Sequence, residues 1–350
     1  MTKIRVLIVD DSALMRQMLS TLLGSDPGIE VVGTAPDPLV AREKIKALNP
    51  DVLTLDVEMP GMDGITFLER LMSLRPMPVV MVSSLTAQGA AVSLRALELG
   101  AVDVVCKPSD AAAAGFEARR VELIEKVKAA AVARLRPRDT TTRTQPGRLS
   151  TNQLYRSSER LVAIGASTGG VEALRDIIVA MPADAPPIVI AQHIPPRFSA
   201  SFADRLNGLA AMRVKEAENG ERILAGHAYI APGDRHLLVR RSGATLVTHL
   251  DDGPLVSGHK PSVDALFHSV ATTCGAKAVG AILTGMGRDG ADGLLAMRQA
   301  GADTLGEEES SCVVYGMPKA ARENGASQRE LPLGRIAEEI LRLCRAHGED

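Results

Sequence analysis

No tryptophan occurs in the 350 residues and aromatic side chains make up only 2% of them, so the stacking platforms that bind single-stranded nucleic acid are missing. Charge of one sign is not in excess either. Lysine and arginine total 40 against 42 aspartates and glutamates, a net charge of -2 that invites no polyanion. The four cysteines, Cys106, Cys274, Cys312 and Cys344, are too scattered for a disulfide framework or for the close pairs that bind zinc, which leaves isolated thiols. No run of about 18 apolar residues occurs, and MTKIRVLIVDD passes from two basic residues straight into a strand-like segment, without a signal-peptide pattern. These absences predict a cytoplasmic protein with no nucleic-acid partner and no membrane insertion.

What is present reads as two folded units. Hydrophobic residues at 45% and charged residues at 23% argue against extended disorder, and 350 residues exceed what one average core needs. In the first third, IRVLIVD (4–10), IEVVGTA (29–35), DVLTLD (51–56), PVVMVSS (78–84) and VDVVCKP (102–108) are short β-branched runs, separated by helical patterns such as SALMRQMLSTLLG and ITFLERLMSLR. The alternation predicts a parallel sheet covered on both faces and closed by a last helix in FEARRVELIEKVKAAAVARL, giving a first domain over 1–135. Residues 136–159 are polar, rich in Thr, Ser and Arg and without apolar periodicity, which is linker composition; Leu154 and Tyr155 are its obvious docking side chains. A second α/β domain over 160–350 opens at LVAIGASTGG, with strands at 161–165, 187–192 and 278–285 and a helix from Gly170. Its stretch from 226 to 250 carries PGD and SG turn signals that predict antiparallel hairpins.

Asp10 and Asp11 end the first strand and Asp56 the third, which places all three at the carboxyl edge where doubly wound sheets bind ligands. Three gathered carboxylates repel one another unless a cation joins them, and their hard oxygens suit Mg²⁺. Lys107, after the fifth strand, reaches the same edge, and Ser83 or Ser84, after the fourth, offers a hydroxyl. The set fits a phosphorylatable aspartate. With LDVEMPGMDG and the Lys107-Pro108 pair, it resembles the receiver domain of bacterial response regulators across the whole first domain, a (βα)5 flavodoxin-like fold. The resemblance implies Asp56 as phosphoacceptor, Mg²⁺ held by Asp10, Asp11, Asp56 and the Glu58 carbonyl, Lys107 on the phosphoryl oxygens and Ser83 moving toward them. Receivers usually carry an aromatic switch residue three before that lysine, and here it is Val104.

Gly165-Ala166-Ser167-Thr168-Gly169-Gly170 stands between a strand and a helix and satisfies G-x-S-x-G, a turn that exposes a serine hydroxyl and frees backbone N–H groups. Ser167 is the candidate nucleophile, although the same residues also suit a plain tight turn with Ser167 or Thr168 capping the helix. A dinucleotide loop fits worse: the middle glycine of G-x-G-x-x-G is Ala166, and the next strand ends Gln192-His193 where an acidic ribose ligand belongs. His193 follows that strand directly, on the same edge as Ser167, and is the candidate base. His227, His236, His249, His259, His268 and His347 fall in presumed turns, hairpins, helices or the tail. Asp289, in TGMGRDG after AVGAIL, supplies an orienting carboxylate, although Asp-Gly also suits a turn, and the glycines beside Met286 free its N–H to meet an oxyanion. The order Ser, His, Asp differs from the Ser, Asp, His order of α/β-hydrolases.

The segments AIGASTGG, AQHIPPRFSASFADRL, GHAYIAPGD, HKPSVDALFHSVA and AILTGMGRDGADGL are similar to the protein-glutamate methylesterase of bacterial chemotaxis, the CheB family, over nearly the whole second domain. That resemblance implies a doubly wound, mostly parallel α/β domain without a cofactor, with Ser167 as nucleophile, His193 as base, Asp289 as orienting acid, the Met286 N–H as oxyanion donor and Thr168 lining the site. Its implied substrates are glutamate γ-methyl esters on methyl-accepting chemoreceptors, with deamidation of receptor glutamines; the histidine kinase CheA is the implied phosphodonor, and the chain is read as a monomer. TLGEEESS (304–311) departs from the usual Ala-Gln-Asp/Glu-Glu-Ala-Ser pattern and is more acidic, which bears on receptor preference. A receiver joined to a hydrolase also predicts control. The unphosphorylated receiver is expected to dock across the carboxyl edge of the catalytic sheet, and phosphate on Asp56 to loosen it through the loop at 83–86, since Val104 offers no aromatic switch. In the competing class, a receiver joined to a non-catalytic interaction module, the Ser-His-Asp edge is accidental.

Overall fold

The computed structural model describes residues 2–84, 86–107, 113–135 and 160–346, and the chain divides into two compact units, Met1–Pro137 and Arg138–Asp350. The expected linker at 136–159, with Leu154 and Tyr155, lies outside the described residues, as do Pro108 and His347.

In the first unit β1 (Ile4–Val9), α1 (Ala13–Gly24), β2 (Ile29–Ala35), α2 (Pro38–Leu48), β3 (Val52–Asp56), α3 (Gly64–Leu74), β4 (Val79–Ser83), α4 (Ala87–Glu98), β5 (Asp103–Cys106) and α5 (Ala113–Ala131) alternate strictly. The strands form one parallel sheet in the order β2-β1-β3-β4-β5. β3 and β4 are buried along their whole length, as continuous β-branched runs covered on both faces should be. Ser12, Asp37, Asp63 and Thr86 each accept a first-turn N–H and so start α1 to α4 just past the carboxyl ends of the strands. β1 and β5 end sooner than the apolar runs suggest, so Asp10 and Lys107 stand just beyond the ladder. The order of strands reverses between β1 and β3, where doubly wound sheets open a crevice.

The second unit runs β6 (Leu161–Ala166), α6 (Gly170–Ala180), β7 (Ile188–Gln192), α7 (Phe198–Leu209), β8 (Arg213–Glu216), β9 (His227–Ile230), β10 (His236–Ser242), β11 (Thr245–Asp251), α8 (Val263–Cys274), β12 (Ala278–Ile282), α9 (Ala291–Gln299), β13 (Asp303–Glu307), α10 (Met317–Glu323), β14 (Arg329–Leu331) and α11 (Leu333–Ala346). Seven of these strands, in the order β14-β13-β12-β6-β7-β9-β8, make a sheet whose pairings are all parallel. The chain starts at β6, moves outward through β7, and returns to β12 on the other side of β6 before moving outward again, so the reversal falls between β6 and β12. Phe267 and Val270 of α8 and Leu294 of α9 share one core cluster with Leu161, Val189 and Ile282 of the sheet.

The stretch from 226 to 250 corrects the hairpin expectation in part. Only β10 and β11 pair antiparallel, while β9 lies parallel between β7 and β8. Its Ala228, Tyr229 and Ile230 are buried, which suits an interior strand of the main sheet, whereas β11 is only half-buried over most of its length. Among the described residues no helix is long and apolar enough to cross a membrane.

Candidate active site

Ser167 follows β6 at the point of reversal. Its N–H donates to the Thr284 carbonyl at 3.0 Å and its carbonyl accepts the Gly170 N–H at 2.7 Å. α6 starts after Gly169, which has φ +79° and provides no side-chain cap. The alternative in which Ser167 or Thr168 caps this helix is therefore set aside, and the serine hydroxyl is free for other work. The small residues are needed for close approach. A Cβ on Gly285 would stand 2.7 Å from Ser167 Cβ, and one on Gly170 would stand 2.6 Å from Ala166 Cβ.

His193 follows β7 and sits with Nδ1 3.1 Å from Ser167 Oγ and Nε2 2.7 Å from Asp289 Oδ2. A carboxylate can only accept, so Nε2 carries the proton and Nδ1 is the atom able to take one from the serine. Gln192, beside it, donates from Nε2 to the carbonyls of both Ser167 (2.9 Å) and His193 (3.0 Å), tying the two loops together. The ring of His259 stacks on that of His193, with centroids 3.9 Å apart and planes 6° from parallel.

Asp289, 1% exposed, is held by the start of α8. Its Oδ1 accepts from Ser262 Oγ and the Asp264 N–H, and its Oδ2 accepts from the Val263 N–H as well as from His193. Burial alone would raise its carboxyl, but the hydrogen bond and charge of His193, with the N–H groups of Asp264 and Val263, outweigh it and bring it down to about 2. The neighbouring Asp264 carboxyl is raised, first by burial and then by the Asp289 charge, although Gly293 N–H and Ser257 Oγ donate to it. Of the two, Asp289 thus holds its negative charge the more firmly, at a helix N-terminus where such charge is favoured. His193, His259 and Asp289 bring ligand-type atoms within 4.8 Å of one another, but the four hydrogen bonds on Asp289 occupy the oxygens a metal would need.

Thr168 is buried and Met286, on the loop after β12, is half-buried. Thr284 Oγ1 donates to the Thr168 carbonyl at 3.0 Å, so the candidate lining residue is fixed through its backbone. The acidic departure at 304–311 is not wholly a surface feature: Glu307 is 0% exposed, and its Oε2 accepts the Thr284 N–H at 2.9 Å.

At the carboxyl edge of the first unit, Asp10, Asp11 and Asp56 place ligand oxygens within 4.8 Å of one another. Asp10 and Asp56 are buried and Asp11 is exposed. Lys107 Nζ lies 2.7 Å from Asp56 Oδ2 and 3.4 Å from Asp10 Oδ2. Burial pushes the Asp56 carboxyl up to about 6; Lys107 pulls against this and Asp10 adds to it. Asp10 Oδ2 is buried with no hydrogen bond beyond its 3.4 Å ion pair to Lys107, which leaves acceptor capacity that a hard cation would satisfy, so these residues fit Mg²⁺. The Glu58 N–H donates to Asp56 Oδ1 at 3.2 Å, which places the loop with the Glu58 carbonyl beside the acids. Ser83 Oγ is buried and donates to the Gly89 carbonyl at 3.3 Å or that of Ser84 at 3.4 Å. Val104 is buried in β5.

Every candidate residue thus stands at the edge anticipated for it. Sequence reasoning missed His259, Gln192, Glu307 and the Ser262-Val263-Asp264 turn. A serine three residues before Ala265 at a helix start was the one usable signal among them, because it marks an N-terminus able to hold a carboxylate.

The description "CheB methylesterase" belongs to the family whose model matches residues 162–340, and "Response regulator receiver domain" to the one matching 6–114. Over 352 residues the chain is 57% identical to protein-glutamate methylesterase/protein-glutamine glutaminase 2 of Xanthomonas oryzae pv. oryzae, covering 98% of both chains. It is 57% identical to the protein-glutamate methylesterase/protein-glutamine glutaminase of Escherichia coli strain K12 over 344 residues, covering 97% of both. Among solved structures, the CheB methylesterase catalytic domain of Thermotoga maritima superposes with a TM-score of 0.52 at 38% identity, covering 53% of this chain and 98% of that one.

Proposed function

Because this chain belongs to the CheB methylesterase family and carries a receiver domain ahead of its catalytic domain, we propose that it is a phosphorylation-regulated protein-glutamate methylesterase and protein-glutamine glutaminase. The observation that carries this reading is the chain of contacts from Ser167 through His193 to Asp289, at 3.1 and 2.7 Å. Its substrates are methylated glutamates of chemoreceptors, and it works in the cytoplasm.

As Ser167 Oγ bonds to the ester carbonyl carbon, His193 Nδ1 takes the hydroxyl proton, and the imidazolium is stabilised by Asp289. The Met286 N–H, on the loop after β12, serves as the oxyanion donor. Collapse expels the methoxy group, which leaves as methanol with the proton from His193. Water then attacks the acyl carbon, His193 takes its proton and returns it to Ser167, and a glutamate carboxylate is released. A glutamine substrate follows the same path with ammonia leaving.

In the receiver, Asp56 accepts a phosphoryl group from the kinase CheA, and Lys107 neutralises its oxygens. Asp10, Asp11, Asp56 and the Glu58 carbonyl would hold Mg²⁺, which when bound offsets the charge of the acids and of the phosphoryl oxygens. Phosphorylation raises turnover. The reading is tested by incubating the protein with methyl-labelled receptor membranes and measuring methanol. Release by wild type and none by Ser167→Ala supports it, and release by both sinks it.

A further inference from the structure

We propose that Glu307 is a positioning residue for the nucleophile, acting through Thr284; this rests on the hydrolase reading of Ser167. β12 pairs with β13 as far as Ile282 and Gly306. Beyond that the Leu283 N–H donates toward β6, to the Gly165 carbonyl at 2.8 Å. Thr284 N–H, next in the chain, finds Glu307 Oε2 at 2.9 Å in place of a backbone carbonyl. A side chain at the end of β13 therefore continues the ladder by one rung, in an interior where an N–H needs a partner.

That rung lies one residue from the chemistry. The carbonyl of Thr284 accepts the Ser167 N–H at 3.0 Å, while its hydroxyl donates to the Thr168 carbonyl and accepts the Val314 N–H, both at 3.0 Å. Gly285 and Met286 follow, so the path of the oxyanion donor leaves from the same peptide. Glu307 itself is locked from behind: its Oε1 accepts from Ser311 Oγ at 2.9 Å, and Ser311 Oγ accepts the Leu333 N–H at 3.0 Å. With both oxygens engaged and no exposure, the carboxylate has one orientation, and its length sets where Thr284 stops.

Reach and functional group can be separated. Glu307→Gln keeps an acceptor for Thr284 and turns an amide toward Ser311, whereas Glu307→Asp keeps the carboxyl group and loses one methylene of reach. In the full-length protein two readouts are compared, kcat and KM for methanol release from methylated receptor membranes, and the rate at which a fluorophosphonate labels Ser167. Glu307→Gln is expected within about twofold of wild type in both, while Glu307→Asp loses about tenfold in kcat and in labelling with KM changed less than about threefold. Wild-type kcat in Glu307→Asp, even with a lowered melting temperature, would mark a purely structural carboxylate and overturn the proposal. So would a Glu307→Gln variant as slow as Glu307→Asp. A wild type that labels at Ser167 but releases no methanol would refute the methylesterase reading alone, and the labelling rates would still decide the role of Glu307.

Discussion

The imidazole of His193 lies face to face with that of His259, 3.9 Å between centroids and 6° between planes, and His259 is tethered by its Nδ1 donating to the Ser257 carbonyl at 2.8 Å. The stack restrains rotation of the His193 ring, the proposed base. Replacing it by His259→Ala should lower kcat by about two- to tenfold, the range such a ring contact is worth, with KM nearly unchanged. His259→Phe should recover most of the loss. Steady-state methanol release measures both, and an alanine variant at full rate would remove the stack from the mechanism.

Removing Ser167 or His193, the proposed nucleophile and base, should be far more severe. Ser167→Ala is expected to lose about 10³-fold or more in methanol release, with His193→Ala close behind. His227 is the control. It sits on β9 with Nδ1 bonded to the Ala225 carbonyl, so His227→Ala should stay within about twofold of wild type. A dead His227→Ala beside an active His193→Ala would reverse the assignment.

Asp289→Asn should leave the fold intact and lower the rate by about 10²- to 10⁴-fold, because the amide no longer selects the His193 tautomer with the proton on Nε2. It should also change acid stability. The folded state holds this carboxyl near 2, below its ordinary 3.8, so the stability it contributes is complete above 3.8 and fades as pH falls toward about 2. The melting-temperature difference between wild type and Asp289→Asn should shrink over that window; a difference that stays constant would show that the carboxylate is not stabilised as an anion.

Legibility followed the strand ends. Asp10, Asp56, Lys107, Ser167 and His193 were within reach of sequence reasoning because each comes just after or at the end of a strand-like apolar run, and parallel strands bring such ends to one edge; Asp289 lies farther out, on the loop between β12 and α9. What a residue does once there depends on contacts between distant segments, which periodicity does not encode. Gln192 alternates like any strand residue and gives no hint that its amide spans two carbonyls. Glu307 reads as one of three surface acids until β14 and α11 cover it, and β9 reads as a hairpin arm because its turn signals are the same as those that end a crossover.

The receiver is expected to act through Asp56. A small phosphodonor with Mg²⁺ should raise methanol release by wild type and leave Asp56→Asn unchanged, since no other described carboxylate has the same pairing with Lys107 and Asp10. Equal stimulation of both proteins would place the phosphoryl group elsewhere.

Thr284 Oγ1 meets the Thr168 carbonyl across 116 residues of chain, and β6 gains its second neighbour only when β12 is in place. On the ribosome, Ser167 therefore emerges long before the strand that completes its surroundings, and the central strand of the sheet waits with one edge open. A chain terminated before β12 would contain Ser167 and His193 yet lack the loop with Met286 and the carboxylate of Asp289. The contacts from Ser167 through His193 to Asp289 are thus complete only after residue 289 of 350 has been made.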